Sequence, residues 1–257
     1  MPNGLHALND LRIPAVVLAG GQASAEFQQK AGVAKRCLVK HGGRTLLEIV
    51  ADALRQTPAV DRVIVVGDVP APPDVQVLPE GDGFVANLFL GLQACAAAPL
   101  ALVSTSDMPF LTSDVVRGFI EGAVGLEADM VYPIVPVELC AQAYPGMRRT
   151  SLRLREGRFT GGNMILLRPD VFLRRRRHIE AAYAYRKQPL RLAMMLGPAV
   201  ALGVALSIVL PVGLLELATL ERAASRLLHA QARALILEAP ALAADVDKPA
   251  DLSALKG

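Results

Sequence analysis

The stretch Ile13-Pro14-Ala15-Val16-Val17-Leu18-Ala19-Gly20-Gly21-Gln22 decides the fold class. An unbroken apolar run ends abruptly in two glycines. A run of this length reads as a strand buried on both faces, as in a parallel sheet covered by helices. The glycine pair lets the chain turn tightly and brings backbone N–H groups within reach of phosphate oxygens. An ordinary strand-to-helix turn uses the same pair. The cations that follow, Lys30, Lys35 and Arg36, favour an anion, because a triphosphate needs positive charge as well as N–H donors.

Outward from this stretch the pattern alternates. Leu46 to Leu54 carries apolar residues at a helical period. Arg62 to Val66 is a second buried strand closed by Gly67, and Val75 to Leu78 a short third. Phe84 to Ala97 reads as helix. Leu100 to Ser104 is a further buried strand that runs into Thr105-Ser106-Asp107, and Thr112 caps a helix reaching about Val124. Strand–helix alternation predicts a three-layer α/β fold with right-handed crossovers, in which ligands sit beyond the carboxyl ends of the strands. Gly20-Gly21 and Asp107 both fall at such ends and are expected to face one crevice. In the second half, Met130 to Val137 reads as a strand. Thr150 to Arg155 and Phe159 to Leu167 form a hairpin around Glu156-Gly157. Helices follow from Pro169 to about Arg186 and, broken, from Pro189 to His229, before a strand at Ala232 to Leu237. The reading is one domain over 1–257, with a helical insertion at about 187–230.

Composition narrows the function. The 257 residues are 53% hydrophobic and 20% charged, enough for a sizeable core. The net charge of +3, from 27 basic and 24 acidic residues, gives no concentrated basic face, and aromatics are only 4%, so nucleic acid is not an expected partner. Cys37, Cys95 and Cys140 are far apart with no CxxC pair, which speaks against disulfides or zinc and for a reducing, cytoplasmic setting. Met1 to Arg12 has no apolar region of the secretory type.

Leu192 to Leu215 contains no charged residue. Its length suits a bilayer, but Pro198, Gly203, Pro211 and Gly213 interrupt it. Three readings stand: buried or dimer-forming helices, contact with the inner membrane surface, and a true span. Arg174 to Arg177 lie just upstream; they read either as a solvated helix end or as an anchor for anionic lipid.

Asp107, at a strand end, is a candidate ligand for Mg²⁺, which typically takes one or two protein carboxylates; capping the next turn is the alternative. Asp245 and Asp247 are available as a second carboxylate. They alternate, so in an extended segment they face opposite ways and at most one joins Asp107. Gly161-Gly162-Asn163 interrupts its strand, marking a bulge or a close approach of a ligand.

Taken in order, these residues resemble a known family. Leu18-Ala-Gly-Gly21, a basic residue before Gly42-Gly43-Arg44, Asn87-Leu88 on a helix reaching Gly91-Leu92, Thr105-Ser-Asp107-Met-Pro109, Gly161-Gly-Asn163 and Asp245-Val-Asp-Lys-Pro-Ala-Asp-Leu252 are similar to the MobA-like nucleotidyltransferases over roughly 13–168 and 232–252. The resemblance implies a GT-A-like Rossmannoid fold with a mixed, mainly parallel sheet. It implies Mg²⁺- (or Mn²⁺-) dependent attack on the α-phosphate of an NTP by a small-molecule acceptor, with release of pyrophosphate. Carried over, Leu18, Ala19, Gly20, Gly21, Asn87 and Ser106 line the nucleotide, Asp107 and Asp247 hold the metal, and Gly162 and Asn163 meet the acceptor. The family lysine falls at Lys35 by residue type and at Arg36 by ungapped spacing. One departure stands out: the arginine and glycine that usually follow Gly-Gly are replaced here by a loop containing Glu26, leaving Lys30 as the candidate substitute. A GT-A-like glycosyltransferase is the next reading, but Thr105-Ser106-Asp107 lacks the first aspartate of its usual metal motif. A non-catalytic or membrane-associated nucleotide binder is the third.

Overall fold

The computed structural model describes residues 11–70, 72, 74–184, 194–198, 200–203 and 213–256. Along the chain run β1 (Ile13–Leu18), α1 (Ala25–Ala31), a small hairpin of β2 (Lys40–His41) and β3 (Arg44–Thr45), α2 (Leu46–Arg55), β4 (Val60–Val66), β5 (Gln76–Leu78), α3 (Gly83–Ala94), β6 (Ala101–Thr105), α4 (Ser113–Val124) and β7 (Met130–Pro136). There follow α5 (Val137–Ala143), β8 (Leu152–Leu154), β9 (Gly157–Gly161), β10 (Met164–Leu167), α6 (Pro169–Leu173), α7 (Arg176–Ala184), α8 (Leu217–Leu228) and β11 (Ala232–Ile236). The strands form one mixed sheet in the order β5-β4-β1-β6-β10-β7-β9-β8, with β11 also paired to β7. The pairs β4–β5, β1–β4, β1–β6 and β7–β11 are parallel.

All six residues of β1 are buried. Its odd-numbered residues, Ile13, Ala15 and Val17, join a core with Leu47, Val50 and Leu54 of α2 and Val116, Phe119 and Ile120 of α4. Its even-numbered residues Val16 and Leu18 join the opposite core, with Leu88 and Leu92 of α3 and Phe172 of α6. Period-two alternation thus feeds two hydrophobic layers, and the expected three-layer α/β architecture is what results. Each of the larger side chains among these, Val, Leu, Ile or Phe, stabilises the fold by about 1.5–3 kcal/mol on burial. Gly91 sets the depth of α3: a Cβ there would lie 2.3 Å from Val16 Cγ1, so only glycine allows this approach.

Local signals fix several boundaries. Thr45 and Glu48 form a reciprocal capping box at the start of α2, and Thr112 caps α4 through the Val115 N–H. The predicted long strand from Phe159 to Leu167 is instead two strands. Ile134 pairs with Gly161, yet Val131 pairs with Leu166, so the register slips by two residues across Gly161–Asn163. That is a bulge, as the glycines suggested. The predicted helix from Pro169 to about Arg186 is likewise divided, into α6 and α7, at Arg174-Arg175.

Within Leu192–Leu215, residues 192–193, 199 and 204–212, half of the stretch on which the three readings rest, lie outside the described residues. Of the remainder, Val200 and Leu215 are buried against Leu154, Phe159 and Ala223, whereas Met194 and Leu202 are exposed. Among the described residues, no helix is long and apolar enough to cross a membrane.

Candidate active site

β1 and β6 are adjacent and parallel, with Leu18 opposite Thr105. Their carboxyl ends therefore deliver Gly20-Gly21 and Ser106-Asp107 to the same place. The Ser106 hydroxyl donates to the Leu18 carbonyl at 3.0 Å and ties the two loops together. Gly21 has φ 91°, a left-handed backbone that suits glycine. A Cβ on Gly20 would lie 2.2 Å from Asn87 Nδ2 and 2.9 Å from Glu80 Oε1, so the missing side chain is what lets Asn87 and Glu80 close on the loop. The cleft so formed holds about 350 Å³ and is lined by Leu18 to Gln22, Lys35 to Cys37, Phe84, Asn87, Thr105 to Asp107 and Tyr183.

Lys35 and Arg36 take different positions within it. The Lys35 ammonium, 7% exposed as a residue, donates to Glu80 Oε2. Glu80 Oε1 accepts from the Gly21 N–H, and Asp68 accepts from the Glu80 N–H at 3.1 Å. The Lys35 hydrogen bond, followed by the Gly21 N–H as the next lowering influence, holds the Glu80 carboxyl below its ordinary range against the opposing effect of burial. Arg36 spans two acids: Nε is 3.3 Å from Asp107 Oδ2 and Nη1 is 3.4 Å from Asp247 Oδ1. Sequence spacing left one slot with two candidates; here both side chains face the cleft.

Asp107 is 8% exposed, and its Oδ1 is buried without a hydrogen-bond partner among the described residues. Burial, and after it the charge of Asp245, pushes its carboxyl up to about 6. Val246 N–H donates to the Asp107 carbonyl at 3.0 Å and pins the C-terminal segment against this loop. Asp247 N–H and Lys248 N–H both donate to the buried Asp251 carboxylate, at 3.1 and 2.7 Å, which closes the turn. Asp245 is gripped by Arg149, through Oδ1 at 2.7 Å and its carbonyl at 2.6 Å. Asp245 and Asp247 engage different arginines, Arg149 and Arg36. The segment has no strand pairing, a turn follows it at 248–250, and the charges of both aspartates act on Asp107.

Lys30, Gly162 and Asn163 do not line this cleft. Lys30, in the last turn of α1, lines a separate hollow of about 650 Å³ with Lys40, Pro249 and Leu252. Gly162 N–H donates to the Pro133 carbonyl at 2.9 Å. Asn163 turns both its N–H and its Nδ2 to the Leu242 carbonyl, at 2.8 and 3.2 Å. Gly162 and Asn163 thus hold the bulge and the C-terminal segment in place. Beyond Asp247 lies a small hollow of about 180 Å³ lined by Arg148, Arg149, Thr150, Thr160, Asp245 and Lys248, among others.

The family model of the MobA-like NTP transferase domain matches residues 15–199. The chain belongs to this family. As a MobA-like NTP transferase it is of nucleotidyltransferase type, and the match runs past the expected limit at 168 into the helical stretch. A hypothetical transferase from Thermus thermophilus is 36% identical, with 94% of this chain and 100% of that one covered at a TM-score of 0.82. A nucleotidyl transferase from Methanothermobacter thermautotroptrophicus shares the fold at a TM-score of 0.51 and 16% identity, covering 95% of each chain. A CMP:2-keto-3-deoxy-manno-octonic acid synthetase complexed with CTP does so at a TM-score of 0.54 and 12% identity, covering 95% of this chain and 96% of that one. No protein with a curated description matches significantly.

In and beside this cleft, Glu80, Arg148, Arg149, Lys248 and the stacked pair Phe84–Tyr183 (centroids 4.7 Å apart) are residues that the sequence pattern did not single out. Glu80 lies 59 positions from Gly21 and 45 from Lys35, so no local pattern joins them. The Arg148-Arg149 pair, and the spacing of Asp247 to Asp251 around Pro249, were the signals available.

Proposed function

We propose that this protein transfers a nucleoside monophosphate from an NTP to a small phosphorylated acceptor and releases pyrophosphate, with a divalent ion, Mg²⁺ or Mn²⁺, as cofactor. The observation that carries this reading is a cleft lined by the glycine loop, Lys35, Arg36 and Asp107, with a second acid, Asp247, tied to Asp107 at its edge through Arg36.

The metal is supported by the donor set. Asp107 Oδ1 is buried and unpartnered, and a second carboxylate, Asp247, is bridged to Asp107 by the same guanidinium. Two carboxylates plus nucleotide oxygens suit a hard cation that keeps much of its hydration. When bound, the ion neutralises and orients the phosphates.

The protein's own groups then do the following. Gly21 N–H and Lys35 bind phosphate oxygens of the NTP, and Asn87, whose Oδ1 accepts from the Gly81 N–H at 2.6 Å, sets the floor beneath the nucleoside. Arg36, already placed between the acids, faces the α-phosphate and stabilises the charge that builds there. The acceptor enters from the hollow beyond Asp247, where Arg148 and Lys248 have no ion-pair partner among the described residues and can take its phosphate. Gly162 and Asn163 act there by holding the wall. A phosphate monoester is already ionised near neutral pH, so it attacks without a general base. Asp245 and Asp247 are engaged by Arg149 and Arg36 in any case.

The test is a screen of the four NTPs with Mg²⁺ against phosphosugars, polyol phosphates and molybdopterin-type acceptors, read as pyrophosphate release. Turnover with a nucleotidylated product is expected for at least one pair. It should fall at least about a hundredfold in Asp107→Asn, the usual scale for loss of a strong electrostatic stabiliser. Nucleotide and metal binding without turnover in every pair would favour a non-catalytic binder instead.

A further inference from the structure

Glu80 stands out because it holds, at once, the two groups that the proposed chemistry needs free. Its Oε1 accepts from the Gly21 N–H of the glycine loop and its Oε2 accepts from the Lys35 ammonium. These are a backbone amide and a cation, the pair of donors that a phosphate group takes. We propose that Glu80 is a built-in surrogate for a nucleotide phosphate, one that occupies the phosphate position in the empty cleft and must be displaced when the NTP binds.

The geometry supports displacement of the side chain alone. The Glu80 backbone is fixed on both sides: its own N–H donates to Asp68 Oδ1 at 3.1 Å, and the next N–H, of Gly81, donates to Asn87 Oδ1 at 2.6 Å. The side chain is held only through its carboxylate contacts, is 20% exposed, and reaches the loop because Gly20 lacks a side chain. A triphosphate seated on Gly21 and Lys35 would place like charge against Glu80, so the two cannot share these donors. In the empty site the contact has a use: it neutralises a Lys35 side chain that is only 9% exposed, which would otherwise be a buried, unpaired cation. Glu80 thereby keeps Lys35 and the loop aimed at the phosphate position, at the expense of apparent affinity. A ligand that binds only the fraction of molecules with Glu80 withdrawn loses affinity by that fraction; if about one molecule in ten is open, the loss is about tenfold.

This inference rests on the nucleotide reading of the cleft, and its test separates the two. Binding of Mg²⁺-tripolyphosphate and of each Mg²⁺-NTP is measured by calorimetry for the wild-type protein, Glu80→Gln and Glu80→Ala, with KM and kcat where turnover is found. The ligand-free variants should melt at lower temperature yet bind tripolyphosphate and NTP about tenfold more tightly, and the change should appear in KM more than in kcat. Equal or weaker binding by the folded variants would overturn the proposal and make Glu80 a residue that merely orients Lys35. Tighter binding without pyrophosphate release from any NTP would keep the surrogate and sink nucleotidyl transfer. A wild-type protein that binds neither ligand would remove both.

Discussion

Replacing Asp107 with asparagine should make the metal-free protein more stable while abolishing its activity. In the fold, burial and then the Asp245 charge push this carboxyl from 3.8 up to about 6. A group whose pKa is higher in the folded than in the unfolded chain contributes stability that is complete below the unfolded value and is lost as pH rises through the folded one. The window here is pH 4 to 6, and a rise of about two units corresponds to roughly 3 kcal/mol. Asparagine keeps the shape and removes the charge that has to be desolvated, so Asp107→Asn should gain about 1–3 kcal/mol at pH 7.5 and almost nothing at pH 4, the lower figure allowing for loss of the Arg36 contact. For a chain of this size that is a rise in Tm of about 2–4 °C per kcal/mol. The assay is thermal unfolding in EDTA across pH 4 to 8, alongside pyrophosphate release with Mg²⁺. A variant less stable than wild type at pH 7.5, or a difference that does not vary with pH, would refute the claim that Asp107 is held at a cost to the fold.

Other expected outcomes follow from neighbouring contacts. Arg36→Gln removes the cation lying between Asp107 and Asp247, so Mn²⁺ should bind the nucleotide-free protein several-fold more tightly by electron paramagnetic resonance while turnover falls; unchanged Mn²⁺ affinity would mean the two acids do not form one site. Arg148→Ala and Lys248→Ala should each raise KM for the acceptor about tenfold, the size of one lost charge-assisted hydrogen bond, and leave KM for the NTP alone; an effect on the NTP instead would reassign the hollow. Asp251→Ala strips the acceptor from two N–H groups of the 247–251 turn and should destabilise the protein by about 1–3 kcal/mol in urea unfolding, with a loss of Mn²⁺ affinity because Asp247 is no longer held.

The parts of this molecule that were legible in the sequence are those where a local pattern carries the physics. β1 is buried on both faces, so its residues are apolar without interruption; α4 begins where Thr112 offers a hydroxyl to a free N–H. The parts that were not legible depend on distant partners or on weak local signals. α5 follows β7 with no intervening loop, Pro136 being both the last strand residue and the helix N-cap, and α1 forms in a polar stretch whose cap, Ser24, looks like any loop serine. The tail was read by strand alternation, but distant partners set it: Val246 N–H pins it to the Asp107 carbonyl, Arg149 holds Asp245, and Asp251 closes the turn after Asp247. Lys35 and Arg36 competed for one role because ungapped spacing cannot show that the first meets Glu80 and the second meets two acids.

The most direct test of the central claim is a crystal structure with Mg²⁺ and a non-hydrolysable NTP analogue. Phosphate oxygens are expected on the Gly21 N–H and the Lys35 ammonium, with Asp107 and Asp247 on one ion at about 2.0–2.1 Å and Glu80 withdrawn from Lys35. A nucleotide bound outside this cleft, or an ion held without Asp107, would contradict it.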